Sequence, residues 1–337
     1  MRPSGSHLEL GPAVQGRVQD FKKSLSRNLD PAFKSGPAYS TTLGRFFLGR
    51  FEDYVESLEA LDLRGKVQLI FTSPPFVLNK KKRYGNLQGD EYLNWLASTA
   101  PRLREFLTPT GSIVVELGNA WTKGLPVMDP LSLEALLAFL RGGNLFLCQQ
   151  FIGYNRARLP TPAEWVTVRR IRVKDSFTHI WWMAPSATPY AQNRAVLKRY
   201  GPDMLRLLKT KKYNSGRRPS DHVIGPTSFL KRNKGAIPSN VIEYSNTRPS
   251  DDYARYCTWH RIPMHPARMP PEIPEFFIRF LTRKGQVVMD PFAGSNTTGA
   301  MAERLGRRWV AIEPIKEYAS GSRGRFATVD TLPALRA

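Results

Sequence analysis

Residues 287–313 restrict the possible folds of this chain more than any other stretch. Val287-Val288-Met289 is an apolar run closed by Asp290, and Pro291-Phe292-Ala293-Gly294-Ser295-Asn296-Thr297-Thr298-Gly299 is a loop of mostly small residues. Ala300-Met301-Ala302-Glu303-Arg304-Leu305 continues as a helix, and Trp309-Val310-Ala311-Ile312 is a second apolar strand closed by Glu313. Strand, loop, helix and strand in this order make a βαβ unit. Its strands lie parallel, and ligands gather at their carboxyl ends.

This loop is not a dinucleotide fingerprint. A small-residue loop lets backbone approach a ligand closely, and an acid ending the second strand can accept both hydroxyls of a ribose. The first strand, however, ends in Asp290, and the loop reads D-P-F-A-G-S-N rather than G-x-G-x-x-G. A carboxylate there disfavours a pyrophosphate and favours a cation, such as the amino group of a methionyl ligand with a sulfonium nearby. The chemistry points to S-adenosylmethionine rather than NAD.

A second buried strand, Leu69-Ile70-Phe71, runs into Thr72-Ser73-Pro74-Pro75-Phe76. Two prolines forbid direct passage into a helix, because each ring fixes φ and removes an N–H donor. A short extended loop is therefore held at the carboxyl end of this strand. Its carbonyl oxygens and the Ser73 hydroxyl can accept from a planar amino group, and Phe76 offers a face for an aromatic ring.

The rest of the chain continues the alternation of strand and helix that argues for a parallel sheet. Strands are expected at 45–49, 112–119, 146–153 and 178–183, and helices at 52–63, 92–107, 131–140 and 273–281. Glu116 sits late in its strand, beside the Gly118-Asn119 turn, and is expected to point into the same cleft as Ser73. Trp181 and Trp182 read as core. Residues 1–40 read as a flexible basic extension, 41–184 and 251–330 as the two halves of one domain, and 185–250 as an inserted region with one helix near 203–209.

With 50 Lys and Arg against 28 Asp and Glu, the net charge of +22 implies a polyanionic partner, and nucleic acid suits it better than membrane. Lys80, Lys81, Lys82 and Arg83 follow the proline loop and can hold phosphates. Arg217, Arg218, Lys231, Arg232 and Lys234 lie in the inserted region, whose cations, amides and guanidinium groups suit phosphates and base edges. No secretory signal or membrane-length apolar run is visible, and Cys148 and Cys257 fit neither a disulfide framework nor a zinc site. A bacterial-type cytoplasm and no metal are the expectations.

T-S-P-P-F at 72–76, D-P-F-A-G-S-N-T-T-G at 290–299 and W-V-A-I-E at 309–313 together resemble the DNA amino-methyltransferases of restriction–modification systems. The catalytic motif precedes the cofactor motif, the beta-class order. Finer matches run from about 46 to 326 and are similar to the cytosine-N4 modification methylases: Y-G-N at 84–86, R-L-P-T-P-A-E-W-V-T-V-R-R-I-R-V-K-D at 158–175, G-A-I-P-S-N at 235–240, H-P-A-R-M-P at 265–270 and P-E-F-F-I-R-F-L-T at 274–282.

The resemblance implies a seven-stranded, Rossmann-like, S-adenosylmethionine-dependent methyltransferase sheet, with the inserted region reading DNA and the target base flipped from the duplex. It implies that Thr72, Asp290, Pro291, Phe292, Gly294, Ser295, Asn296 and Thr297 surround the cofactor's methionine end and that Glu313 binds its ribose. Ser73, Pro74, Pro75 and Phe76 would receive the base, with Glu116 or water taking the proton that Ser73 relays. The family's acidic motif ahead of the catalytic strand is replaced by Gly49-Arg50-Phe51, leaving Glu52 or Asp53 to substitute. The expected partners are double-stranded DNA and a separately acting cognate endonuclease, with the chain a monomer encoded by a bacterium or phage. An adenine-N6 methyltransferase of the same fold, and a DNA-binding protein with a decayed methyltransferase fold, are the competing readings.

Overall fold

Each central strand carries apolar side chains on both faces, so the sheet has to be covered twice. Phe46, Leu69, Phe71, Val114, Val288 and Ala311 enter one core. Their chain neighbours Phe47, Ile70, Ile113, Val115, Met289 and Val310 enter the other. A computed structural model describes residues 36–75, 89–245 and 251–326. The first thirty-five residues, Phe76 and the Lys80 to Arg83 run lie outside that set.

The strands are β1 (Tyr39–Ser40), β2 (Gly44–Leu48), β3 (Val67–Thr72), β4 (Leu107–Gly118), β5 (Phe146–Asn155), β6 (Phe177–Ala184), β7 (Val241–Tyr244), β8 (Val287–Asp290) and β9 (Arg308–Glu313). They form one nine-stranded sheet in the order β1-β2-β9-β8-β3-β4-β6-β5-β7. From β2 to β4 the neighbours are parallel, whereas β6 is antiparallel to both β4 and β5. The expected alternation therefore breaks at β6, which inserts between β4 and β5. The count exceeds the expected seven because β1 and β7 add a short strand at each edge, and β7 lies at the end of a stretch that reads as loop in the sequence.

The helices are α1 (Gly89–Phe106), α2 (Leu131–Gly143), α3 (Pro202–Thr210), α4 (Asp252–Trp259), α5 (Glu272–Leu281), α6 (Thr297–Arg304) and α7 (Lys316–Ser322). Tyr92, Leu96, Ala100 and Leu103 of α1 recur at helical spacing and pack with α2 over one face of the sheet. Ile273, Phe277 and Leu281 of α5, with Ala300 and Met301 of α6, cover the other. Both tryptophans of β6 are core: Trp181 is fully buried, and Trp182 donates its indole N–H to the Ser112 hydroxyl at 2.9 Å.

The helix expected at 52–63 is two single turns, Phe51–Tyr54 and Leu58–Leu61. Ser57 separates them: its hydroxyl donates to the Tyr54 carbonyl at 2.7 Å and accepts from Ala60 N at 3.2 Å. A serine that can cap the following turn competes with helix continuation. The apolar positions Leu58 and Leu61 consequently face solvent, while Phe51, Tyr54 and Ala60 are buried.

Close approach fixes Gly44. A Cβ there would lie 2.0 Å from the Trp309 indole, which is held by a 2.6 Å hydrogen bond to Glu303 and stacks on Phe326 with centroids 5.1 Å apart. Gly44→Ala is expected to lower the free energy of urea unfolding by about 1–3 kcal/mol through overpacking. Gly201→Ala, whose Cβ meets nothing within 4 Å, causes no overlap and is expected to cost no more than about 1 kcal/mol, through the weaker N-cap of α3.

Candidate active site

The carboxyl ends of β3, β4, β8 and β9 open onto a cavity of about 440 Å³. β3 ends at Thr72, and the extended Ser73-Pro74-Pro75 continues along the cavity wall. The Ser73 hydroxyl donates to Oε2 of Glu116 on the adjacent strand at 2.7 Å. Glu116 is buried, and burial raises its pKa above the ordinary carboxylate value, opposed by the Ser73 hydroxyl, the Thr178 hydroxyl and Arg158.

Asp290 ends β8, the strand on the other side of β3. Its Oδ1 accepts from the Thr72 hydroxyl at 2.8 Å and from Phe292 N at 3.2 Å, and its Oδ2 accepts from the Thr298 hydroxyl at 2.7 Å. Burial pushes its pKa up to about 6 in spite of these donors. A carboxylate has about four lone-pair positions, so one remains for a ligand.

Glu313 ends β9 and accepts from Gly294 N at 2.9 Å on Oε2 and from Ile315 N at 3.0 Å on Oε1. One acceptor position is left on each oxygen, the arrangement that two vicinal hydroxyls require. Burial, with the nearby charge of Asp290 adding to it, raises this pKa to about 7.

The loop between these carboxylates is shaped by left-handed backbone. Gly294 has φ +51°, and a Cβ on it would lie 2.9 Å from Nε2 of His265. Asn296, also left-handed at φ 55°, caps α6 through Oδ1 to Gly299 N at 3.1 Å. Its Nδ2 donates to the Tyr39 hydroxyl at 3.0 Å. The Asn296 side chain is thus spent on the fold, and neither it nor Pro291 nor Thr72 is on the cavity wall, although all three were expected around the cofactor. Phe292, Gly294, Ser295 and Thr297 do line it.

Further groups on this wall had no assigned role in the sequence reading. His265, Arg268, Asp251 and Tyr318 all line the cavity. His265 N donates to the Tyr253 hydroxyl at 2.8 Å, and its ring packs on Tyr318 with centroids 4.4 Å apart. Arg268 donates to Asp251 at 2.8 Å. Arg325 reaches the loop from the far end of the chain, donating to the carbonyl and the hydroxyl of Ser295 at 2.5 and 2.9 Å. The only available signal was the H-P-A-R-M-P string, which no periodicity marks as part of a site.

Of the two acids proposed to replace the missing acidic motif, Asp53 is exposed. Glu52 accepts from the Trp95 indole at 2.7 Å, and Trp95 packs on Phe292 with centroids 5.4 Å apart. The cations of the inserted region are elsewhere. Arg217 is paired with Asp221 at 2.8 Å on a short hairpin, Arg218 donates to the Asn214 carbonyl at 2.9 Å, and Lys231, Arg232 and Lys234 are exposed.

The chain is similar to known proteins over most of its length. The family model for DNA methylase matches residues 67–323. The type II methyltransferase M.PvuII of Proteus hauseri is 40% identical over 306 residues, covering 90% of each chain. The solved structure of PvuII DNA methyltransferase (cytosine-N4-specific) superposes with a TM-score of 0.70 at 34% identity, over 88% of this chain and 90% of that one. The Thermus thermophilus protein TTHA0409, complexed with S-adenosyl-L-methionine, shares the fold at a TM-score of 0.52 and 18% identity, over 85% of this chain and 93% of that one. With a family match over more than half its length and a near full-length relative of this identity, the chain belongs to the DNA methylase family.

Proposed function

We propose that this chain is a site-specific DNA methyltransferase that uses S-adenosylmethionine to methylate the N4 amino group of a cytosine turned out of duplex DNA. The observation that carries this reading is the 2.7 Å hydrogen bond from Ser73 to Glu116, in one cavity with Asp290 and Glu313. The cytosine-N4 specificity printed for the PvuII relative favours cytosine as the target.

The residues present fit the cofactor. Asp290 keeps one acceptor position for the methionyl ammonium, Glu313 keeps one on each oxygen for the ribose hydroxyls, and Gly294, having no Cβ, lets His265 pack against the loop beside them. Phe292, Ser295 and Thr297 complete this end, with Thr72 and Asn296 acting from behind the wall and Pro291 turning the loop. When bound, the cofactor supplies an electrophilic methyl group on a sulfonium.

The N4 lone pair of cytosine is delocalised into the ring, so the amino group is a poor nucleophile. Because the Ser73 hydroxyl donates its hydrogen bond to Glu116, its oxygen is left to accept from one N4–H bond. The Pro74 carbonyl accepts the other. Two acceptors draw the lone pair back onto nitrogen and aim it for in-line attack, so positioning supplies much of the rate. The methylated nitrogen then sheds a proton, which Ser73 relays to Glu116. Ring-carbon methylation needs a cysteine nucleophile; Cys257 is buried in α4 and neither cysteine lines the cavity.

Duplex DNA is held by the cations Lys80 to Arg83, which lie outside the described residues, and by the region 185–250, which reads the target sequence. The halves 41–184 and 251–330 carry the base and the cofactor; the extension expected over residues 1–40 is shorter than that, because Tyr39–Ser40 pairs with β2 and Tyr39 is buried in the core, and residues 1–35 lie outside the described set. The chain acts as a monomer in the cytoplasm, because each strand of a duplex site can be methylated in turn, and a cognate endonuclease works separately. Among the described residues, no helix is long and apolar enough to cross a membrane and no cluster of three metal-ligating side chains occurs.

The test is incubation with unmethylated DNA and S-adenosylmethionine, followed by digestion to nucleosides and mass spectrometry. N4-methylcytosine is expected; N6-methyladenine as the product would refute the choice of base, and no methylated nucleoside from any DNA would refute the activity. Ser73→Ala is expected to lower turnover by about 10²–10³-fold while leaving cofactor affinity unchanged in calorimetry.

Turnover should also depend on pH through Glu116. Only its ionised form can take the relayed proton, so the rate rises as pH climbs through the raised pKa of this group, and Glu116→Gln removes that limb. Cofactor affinity follows the same sign. Asp290 and Glu313 bind in their ionised forms, so affinity measured by calorimetry should increase as pH rises through about 6 and about 7. Glu313→Gln should flatten the upper step.

A further inference from the structure

Between β5 and β6 the chain leaves the sheet for residues 156–176, and both feet of this excursion stand on the cavity wall, Asn155 and Arg158 on one side and Thr178 on the other. The excursion folds back on itself as a lobe. Ile171 N donates to the Trp165 carbonyl and Asp175 N to the Thr161 carbonyl, each at 2.9 Å, around a single π turn at Glu164–Val168. It is braced against the hairpin formed by Ala120–Trp121 and Met128–Asp129. Arg172 Nε donates to the Pro126 carbonyl at 2.9 Å, and Asn119 and Trp121 both donate to Asp175, at 2.8 and 3.4 Å.

The tip of the lobe is Val168-Arg169-Arg170-Ile171, and all four residues are exposed. Val168 is 69% exposed and Ile171 50%. Residues 156–174 carry six cations against the single acid Glu164. Arg169 is tied to that acid at 2.8 Å and lies over the Trp165 ring, so its position is set within the lobe. Arg170 has no ion-pair partner among the described residues and sits at φ 55°, left-handed backbone that a non-glycine residue adopts only when its surroundings impose it.

Two exposed β-branched side chains flanking two cations, at the tip of a lobe whose feet stand on the wall of the cavity, match the side chains that enter DNA. Cations neutralise phosphates, and apolar wedges occupy unstacked base steps. Resting on the methyltransferase reading above, we infer that this lobe engages duplex DNA beside the target base, with Arg170 on a phosphate and Val168 and Ile171 in the space that the extruded base vacates.

Two exposed-surface variants separate these roles. Arg170→Gln should weaken binding to duplexes of any sequence and reduce the slope of log K against log salt by about one. Val168→Ala with Ile171→Ala should leave that slope intact and lower turnover on unmethylated genomic DNA by about threefold or more, because base extrusion loses its support. Both variants should bind S-adenosylmethionine as the parent does, which checks that the fold is intact. A parent-like slope and parent-like turnover in the two variants would overturn the lobe's role while leaving the methyltransferase reading in place. A parent protein that binds no duplex DNA would overturn both.

Discussion

The buried carboxylate of Asp290 holds the two halves of the site together. Placing an anion in the interior costs several kcal/mol unless donors surround it. Here the donors come from three places: the Thr72 hydroxyl on β3, the Thr298 hydroxyl on α6 and the backbone N–H of Phe292 in the loop between. Meeting that requirement ties the strand that delivers Ser73 to the strand that delivers the cofactor loop. Ser73 is the next residue after Thr72, so its distance from the loop is set by this hydrogen bond together with the pairing of β3 with β8.

The same constraint spreads outward. Glu313 repeats it one strand further, with Gly294 N and Ile315 N as donors. Gly294 must lack a side chain because His265 already occupies the space, and His265 is fixed by Tyr253 and Tyr318. Arg325 clamps Ser295 from the other side while facing Asp251 at 3.7 Å and lying over the Tyr253 ring. The cofactor loop is therefore held by side chains from four separate stretches of chain, which suits a surface that has to be in place before a ligand arrives.

Much of this was legible beforehand. The βαβ unit at 287–313, the proline stop after Thr72 and the late position of Glu116 are local patterns, set by apolar runs, ring constraints and strand ends. The reading failed where a short-range competitor or a distant partner decides. Ser57 caps a second turn and splits the helix expected at 52–63. Nor could the sequence show that the Asn296 amide accepts from Gly299 N and donates to the hydroxyl of Tyr39, which is 257 residues away in sequence.

Sequence alone determined the class of sheet, the order of its two functional loops, and the identity of Ser73, Glu116, Asp290 and Glu313 as the polar groups at strand ends. Each of those follows from residue type and spacing within a few positions. Only the tertiary structure decided that the Ser73 hydroxyl donates a hydrogen bond to Glu116, that β6 inserts antiparallel between β4 and β5, and that His265 and Arg325 close around the cofactor loop. It likewise stood the basic lobe at 156–176 on the rim of the cavity rather than at a distance from it. These are contacts between residues far apart in the chain, settled by how the strands are ordered and covered, and no local pattern records them.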